Sequence, residues 1–390
     1  MPDAANRLPR QLAKVNPFRV MTVMHRAAEM EAAGRKIVHM EVGEPDFTTA
    51  QPIIDAAKKA LDDGKTQYTA APGIAELRHC IASYYEQRHG VQLDSRRVLV
   101  TPGASGGLTL LANLLIESGD GILLSDPAYP CVRNFIHMMN GVPQLVPVER
   151  QHNFQPTVEL LNKHVDQSTT GVWLASPANP TGTILERARL QAICEWAHKQ
   201  NFHVLVDEIY HGLHYVDDLP SVLELDDSAF VVNSFSKYFG MTGWRLGWIV
   251  VPEFAIEMAN ILAQNLYISA SSIAQYAALA AFEESTQEIF ESRRLAFQQR
   301  RDFLANALKE IGFELADHIQ GAFYVYANIS RFSNDAESFC QSLLEQYGVA
   351  ITPGTDFGDF KSNQFVRFAF TTSMQDLELG VDRIRTAISS

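Results

Sequence analysis

Cysteine is scarce in this chain. Cys80, Cys131, Cys194 and Cys340 are the only four in 390 residues, and no two of them form a CxxC pair. That spacing signals neither a zinc site nor a disulfide framework. Four reduced thiols are the expected state, which points to a cytoplasmic protein. No apolar run reaches the roughly 18 residues that a membrane span needs. The opening stretch MPDAANRLPRQLAKVNPF is basic but has no apolar segment after it, so it does not read as a secretory leader. Positive charge is also short: 32 Lys and Arg stand against 45 Asp and Glu, a formal net charge of −13. Such a chain repels phosphate backbones and anionic lipid, which excludes nucleic acid and membrane as partners. Local basic pockets for small anions are still allowed. Internal repeats and low-complexity tracts are missing too.

What the chain does have is length for two domains and a normal apolar share, 46% of residues. Its middle alternates strand-like and helix-like segments. RVLVT (97–101) reads as a buried strand, followed by small residues (PGASGG) and an apolar helix, LTLLANLLIESG, closed by Gly119. GILLS, GVWLA, FHVLVDE and AFVVNSFSK read as further strands, with a helix from about Glu186 to Gln200 between the second and third. The expected fold class is α/β: a large domain built on a mostly parallel sheet with helices on both faces, plus a smaller α+β domain. The smaller part combines an N-terminal arm, residues 1–45, with residues 286–390, and the large domain occupies 46–285. Within the second segment the pattern predicts one long helix over about Ala281–Ile311, then a strand in GAFYVYANI. A helix ending near Tyr347, a strand in GVAITPG and a strand in NQFVRFAF follow.

In open parallel sheets, ligands sit beyond the carboxyl ends of the strands. Those ends here carry Gly103, Ala104 and Ser105, then Asn179, then Asp207 and Tyr210, then Ser234, Ser236 and Lys237. Each has an ordinary explanation. A loop lysine is usually a solvated charge, an aspartate after a strand often caps a helix, and Asn-Pro-Thr-Gly is common turn chemistry. GASGGL matches neither a dinucleotide fingerprint nor a P-loop. Together, at successive strand ends facing one crevice, they point to a site.

The set resembles the class I/II aminotransferases, fold-type I pyridoxal-phosphate enzymes related to aspartate aminotransferase. The likeness runs over nearly the whole chain: VGEPDF, KTQYTAAPG, VTPGASGGL, DPAYP, SPANPTG, VDEIY, SFSKYFGMTGWRLGW, GAFY and PGTDFG…VRFAF. SFSK followed by GWRLGW is its most specific part. The resemblance implies pyridoxal 5'-phosphate as the cofactor, held as a Schiff base on Lys237, and no metal. Asp207 would pair with the ring nitrogen and keep it protonated. Tyr210 and Asn179 would bond the ring's 3′ oxygen, and Tyr129 would stack on its face. Ser234, Ser236, Arg245 and the amides around Gly103, Ala104 and Ser105 would hold the phosphate. Tyr68 would reach that phosphate from a neighbouring subunit, which makes the active unit a homodimer.

The substrates implied are an L-amino acid and a 2-oxo acid. Arg367, a charge inside the apolar strand QFVRFAF, must be paired or face a ligand, and the resemblance makes it the clamp for the substrate carboxylate. Gly43 would let the backbone approach the substrate closely. Arg19, Arg26 and Arg133 are candidates for a second carboxylate on a dicarboxylic substrate, though none sits in a motif that assigns it. Two other readings use the same residues: a C–S β-lyase on the same scaffold, and a non-catalytic ligand-sensing module. No basic DNA-binding segment flanks the chain to favour the second.

Overall fold

The computed structural model describes residues 9–389. The first eight residues of the segment read above for a leader lie outside the described residues. After a helix at Arg19–Ala32 comes a two-residue strand, β1 (Val38–His39). The central sheet follows: β2 (Val98–Thr101), β3 (Gly121–Asp126), β4 (Val142–Pro147), β5 (Thr169–Ala175), β6 (His203–Asp207), β7 (Phe230–Ser234) and β8 (Gly247–Val250). Its order is β2-β8-β7-β6-β5-β3-β4. All its strands run parallel except β8, which is antiparallel to both its neighbours. The mostly parallel sheet expected from the sequence is therefore present.

Apart from the edge strand β4, the strands are largely buried on both faces, so the period-two alternation of a strand shows up as two apolar cores. Val98, Val100, Leu123, Val172, Leu174, Val204 and Val206 point into one. Leu99, Ile122, Leu124, Trp173 and Leu205 point into the other. Helices Gly103–Leu115, Pro130–Met138 and Ile256–Leu266 cover the second face, supplying Leu111, Ile136 and Ala259. Helices Ala75–His89, Arg187–Gln200 and Ser272–Leu279 cover the first with Ile81, Ile193 and Ala277.

The first core does not stop at the sheet. It runs on through Phe290, Phe297 and Leu304 of a long helix into Phe323 and then Val325 and Phe368 of a second sheet. That sheet contains β9 (Glu314–Leu315), β10 (Tyr324–Asn328), β12 (Thr352–Pro353) and β13 (Phe365–Ala369), in the antiparallel order β12-β13-β10-β9. The remaining strand, β11 (Val349–Ala350), pairs in parallel with β1. The N-terminal segment is thus stitched to the C-terminal part of the chain.

Several elements differ from the sequence reading. GVAITPG is not one strand. It divides at Ile351 into β11 and β12, which pair with different partners. The long helix spans Glu284–Ile311, and an extended Glu283 separates it from a short 3-10 turn, Ala280–Phe282. The helix ending near Tyr347 is α-helical over Ala336–Ser342 and widens to a π turn over Leu343–Tyr347. The helix after β2 starts at Gly103, within the small-residue stretch, and ends at Leu115 rather than near Gly119. β4 and β8 were not read as strands. β4 carries two prolines, and β8 is only four residues long.

β8 matters because its antiparallel run brings its N-terminal end, with Arg245 just before it, to the edge where the parallel strands finish. The close fit there depends on Gly247. A Cβ at that position would lie 2.8 Å from both the Ala104 nitrogen and the Asn233 oxygen. Backbone cannot move aside as a side chain can, so Gly247→Ala should cost about 1–3 kcal/mol. Gly243, four residues earlier, has open space around a built Cβ. Gly243→Ala should leave the urea midpoint within experimental error of wild type. Equal destabilisation by the two substitutions would show that the contact at Gly247 is not the constraint.

Candidate active site

The carboxyl ends of the parallel strands open into one cavity of about 260 Å³. β2 delivers Ala104 and Ser105, in the first turn of helix Gly103–Leu115. β3 delivers Tyr129, and β5 delivers Asn179. β6 delivers Asp207 and Tyr210, and β7 delivers Ser234, Ser236 and Lys237. Arg245 enters from the start of β8, Gly43 from the segment after β1 and Arg367 from β13. Gly103 sits one step behind the wall. A Cβ there would come within 2.6 Å of the Arg245 guanidinium.

Lys237 keeps some exposure, into the cavity, but its amine is enclosed by protein and donates to the Gly43 carbonyl at 2.8 Å. Burial lowers its pKa to about 8. Glu44 and Asp207 pull the other way, while Arg367 and Arg245 add to the lowering. An appreciable fraction of the amine is therefore neutral near physiological pH, as a nucleophile or base requires. Asp207 is buried, and its carboxyl is pushed up to about 7 by desolvation. The amide of Ile209, donating at 3.1 Å, and the charge of Lys237 oppose that rise. No cation stands within ion-pair distance of Asp207 among the described residues. A buried carboxylate facing a cavity with one hydrogen bond is short of a positive partner.

Tyr210 and Tyr324 share a hydrogen bond at 2.9 Å between their hydroxyls, and burial raises the pKa of both phenols. Arg367 is 2% exposed. It donates to Asn179 Oδ1 at 2.9 Å and to the Glu41 carbonyl, and its guanidinium carbon lies 4.3 Å from the Tyr324 ring centroid. Its Nε has no partner. Arg245 adopts a left-handed backbone conformation (φ 53°), unusual for a non-glycine residue, and donates to the Thr242 carbonyl at 3.1 Å. The neighbouring helix begins after Pro102, with no side chain capping its first amides. A guanidinium beside uncapped helix amides is an arrangement whose charge and dipole favour an anion.

Tyr68 lies elsewhere. It is 81% exposed and does not line the cavity. The three candidate arginines for a second carboxylate are also outside it. Arg19 pairs with Glu337, Arg26 with Glu345 and Glu29, and Arg133 with Asp359. Other lining residues were not singled out in the sequence. Tyr324 was visible only within GAFY and Glu44 only within VGEPDF, while Phe18, Val20 and Met21 come from a helix start with no motif.

Residues 35–384 match the family described as aminotransferase class I and II. The chain belongs to that family. This aminotransferase is 37% identical to the valine–pyruvate aminotransferase of Mycobacterium tuberculosis, over 97% of its own length and 98% of the relative's. Its fold is similar to the crystal structure of an aminotransferase from M. tuberculosis, with a TM-score of 0.96 at 36% identity and 98% and 99% of the two chains covered. It is also similar to the aspartate aminotransferase of Thermus thermophilus with maleate, at a TM-score of 0.93 and 30% identity over 98% and 99%. The names agree on amino transfer and so describe a transaminase, but they differ on substrate. Among its described residues the aminotransferase has no cluster of side chains fit to hold a metal ion, and no helix long and apolar enough to cross a membrane.

The Asp207 environment gives a pH prediction for the protein stripped of any ligand. Its folded pKa, about 7, lies above the ordinary 3.8. Folding therefore favours the protonated carboxyl. The penalty for ionising it grows from about pH 4 to pH 7 and is constant above, reaching roughly 2–4 kcal/mol. Asp207→Asn, which mimics the protonated form, should raise Tm more at pH 8 than at pH 5. An increment independent of pH would show that Asp207 carries no such penalty.

Proposed function

We propose that this aminotransferase binds pyridoxal 5'-phosphate in the cavity and moves an amino group from an L-amino acid to a 2-oxo acid in two half-reactions. The observation that carries the reading is the pair of buried groups across the cavity. One is an amine with its pKa lowered to about 8, and the other is a carboxyl without a cationic partner. The residues fit the cofactor, since Asp207 lacks a cation and Arg245 stands beside uncapped helix amides. When bound, pyridoxal phosphate supplies an aldehyde for amines and a protonated ring that accepts electrons from the substrate Cα.

The chain's own residues then divide the work. Lys237 Nζ would hold the cofactor's aldehyde, and its amine would move the proton at the substrate Cα. Asp207 would hold a proton on the ring nitrogen. Tyr210 and Asn179 would bond the ring oxygen, and Tyr129 would cover the ring face. The amides near Gly103, Ala104 and Ser105, the hydroxyls of Ser234 and Ser236, and Arg245 hold the phosphate. Arg367 clamps the substrate carboxylate with Asn179, close to the Gly43 backbone. Tyr68, exposed here, reaches the phosphate of a second copy, so the working unit is a homodimer. The small part, residues 1–45 and 286–390, closes over the large one, 46–285. The protein acts in the cytoplasm. Electrons balance without an outside reagent. The donor carbon is oxidised from amine to carbonyl, the acceptor carbon is reduced by the same two electrons, and the water taken up in one half-reaction is released in the other.

Borohydride reduction of the loaded protein, followed by peptide mapping, should place the pyridoxyl label on Lys237. A label on any other lysine overturns the assignment. Lys237→Ala should lose turnover by several orders of magnitude.

The two arginines should separate cleanly. A lysine cannot copy the two parallel bonds of a guanidinium, and at the buried Arg367 truncating a desolvated charge pair costs about 2–5 kcal/mol, or roughly thirtyfold to a few thousandfold in affinity, with a smaller loss at the exposed Arg245. Arg245→Lys should weaken cofactor binding first, as read by equilibrium dialysis. Arg367→Lys should weaken amino acids and oxo acids alike while cofactor affinity is unchanged. An effect of Arg367→Lys confined to dicarboxylic substrates would reassign it to the side-chain carboxylate.

A further inference from the structure

We infer that the side-chain subsite takes uncharged, apolar substrates and disfavours dicarboxylates; this rests on the amino-transfer reading above. Part of the cavity wall comes from the start of the N-terminal helix, where Phe18, Val20 and Met21 all line it. That turn is fixed by Asp356, whose carboxylate accepts from the backbone amides of Arg19 at 2.9 Å and Val20 at 3.4 Å. Phe357, the next residue, lies under Arg367, with the guanidinium carbon 4.7 Å from its ring centroid. Phe18 meets Tyr129 edge to face at 6.0 Å between centroids. The apolar turn therefore spans from the carboxylate clamp to the tyrosine assigned to the cofactor ring.

The same turn directs its one cation away. Arg19 donates to Thr355 at 3.2 Å and pairs with Glu337, outside the cavity. Arg26 is bound to Glu345 and Arg133 to Asp359. The cations that do line the cavity, among the described residues, are Lys237, Arg245 and Arg367, and each already has a task. The remaining charged side chain in the wall besides Asp207 is Glu44, which repels a carboxylate. A β- or γ-carboxylate entering here would shed water and gain no counter-charge from this chain, whereas an aliphatic side chain would bury against Val20 and Met21. Donor and acceptor occupy the same site in turn. The preference therefore extends to the oxo acid, and pyruvate or an apolar 2-oxo acid is favoured over oxaloacetate and 2-oxoglutarate.

The test uses the loaded enzyme. L-leucine, L-methionine, L-aspartate and L-glutamate are each mixed with it without an acceptor, and the oxo acid released per site is followed in time. Pyruvate and 2-oxoglutarate are then compared as acceptors. Leucine or methionine should exceed aspartate and glutamate by about tenfold or more in kcat/KM, the effect of one unpaired carboxylate. Aspartate or glutamate reacting as well or better overturns the inference and leaves amino transfer standing. No oxo acid from any amino acid overturns both. Met21→Arg, at an exposed position, places a cation in the wall. It should shift the aspartate-to-leucine ratio about tenfold toward aspartate. An unchanged ratio would show that this turn is not the side-chain wall.

Discussion

The burial of Arg367 is the constraint around which the site is arranged. A guanidinium 2% exposed in the middle of an apolar strand must find its hydrogen bonds inside the protein, because leaving a buried charge unpaired costs several kcal/mol. It finds them in three separate stretches: Asn179 after β5, the Glu41 carbonyl near the N-terminal arm, and Thr352 on the adjacent strand at 3.4 Å. Two aromatic rings, Tyr324 and Phe357, flank it. No carboxylate neutralises it among the described residues. Its charge is solvated by dipoles and π-faces, and its Nε has no partner among the described residues.

The same logic holds deeper in the cavity. Lys237 and Asp207 carry opposite charges, yet the contact between them is electrostatic and not a hydrogen-bonded pair. Had they paired closely, each would have stabilised the other's ionised form and neither would sit near neutrality. With no close pairing to offset it, burial drops the amine to about 8 and raises the carboxyl to about 7. Both groups are therefore poised to give their proton to, or take it from, whatever fills the space. The scaffold supports this separation. Asp207 ends a strand buried on both faces, and Lys237 follows the next strand in the sheet, so neither can drift toward the other.

Much of this was legible in the sequence because the parallel sheet writes its chemistry at strand ends. Asn179, Asp207, Tyr210, Ser234 and Lys237 each follow a short apolar run, and the runs were readable. What could not be read depends on contacts distant in sequence. GVAITPG looked like one strand because its composition is uniform. Its division at Ile351 comes from competition between β1 and β13 for its two halves. β8 is antiparallel, a property that four residues cannot announce. Tyr324 lay in a recognised motif, but its bond to Tyr210 requires the two sheets to meet. Tyr68 needs a second copy to be given any role, so neither its sequence nor its exposed position decides it.

The N-terminal turn was the hardest part to read and has the most to say about substrate. Nothing in NPFRVM announces a binding wall. A short apolar-basic stretch before a helix is as consistent with a surface anchor. Its meaning comes from Asp356, a residue near the other end of the chain, which takes the place of a capping side chain that Phe18 cannot provide. Asp356 is itself buried, with desolvation raising its pKa, and the amides of Arg19 and Val20 are among the groups that hold its charge in check. Carboxylate and helix start therefore stabilise each other, and the registration of Phe18, Val20 and Met21 against the cavity follows. In the proposed reading, specificity is thus separable from chemistry. Strand ends of a rigid sheet carry the groups assigned to the reaction, while the proposed side-chain wall hangs on one carboxylate and two backbone amides from opposite ends of the chain.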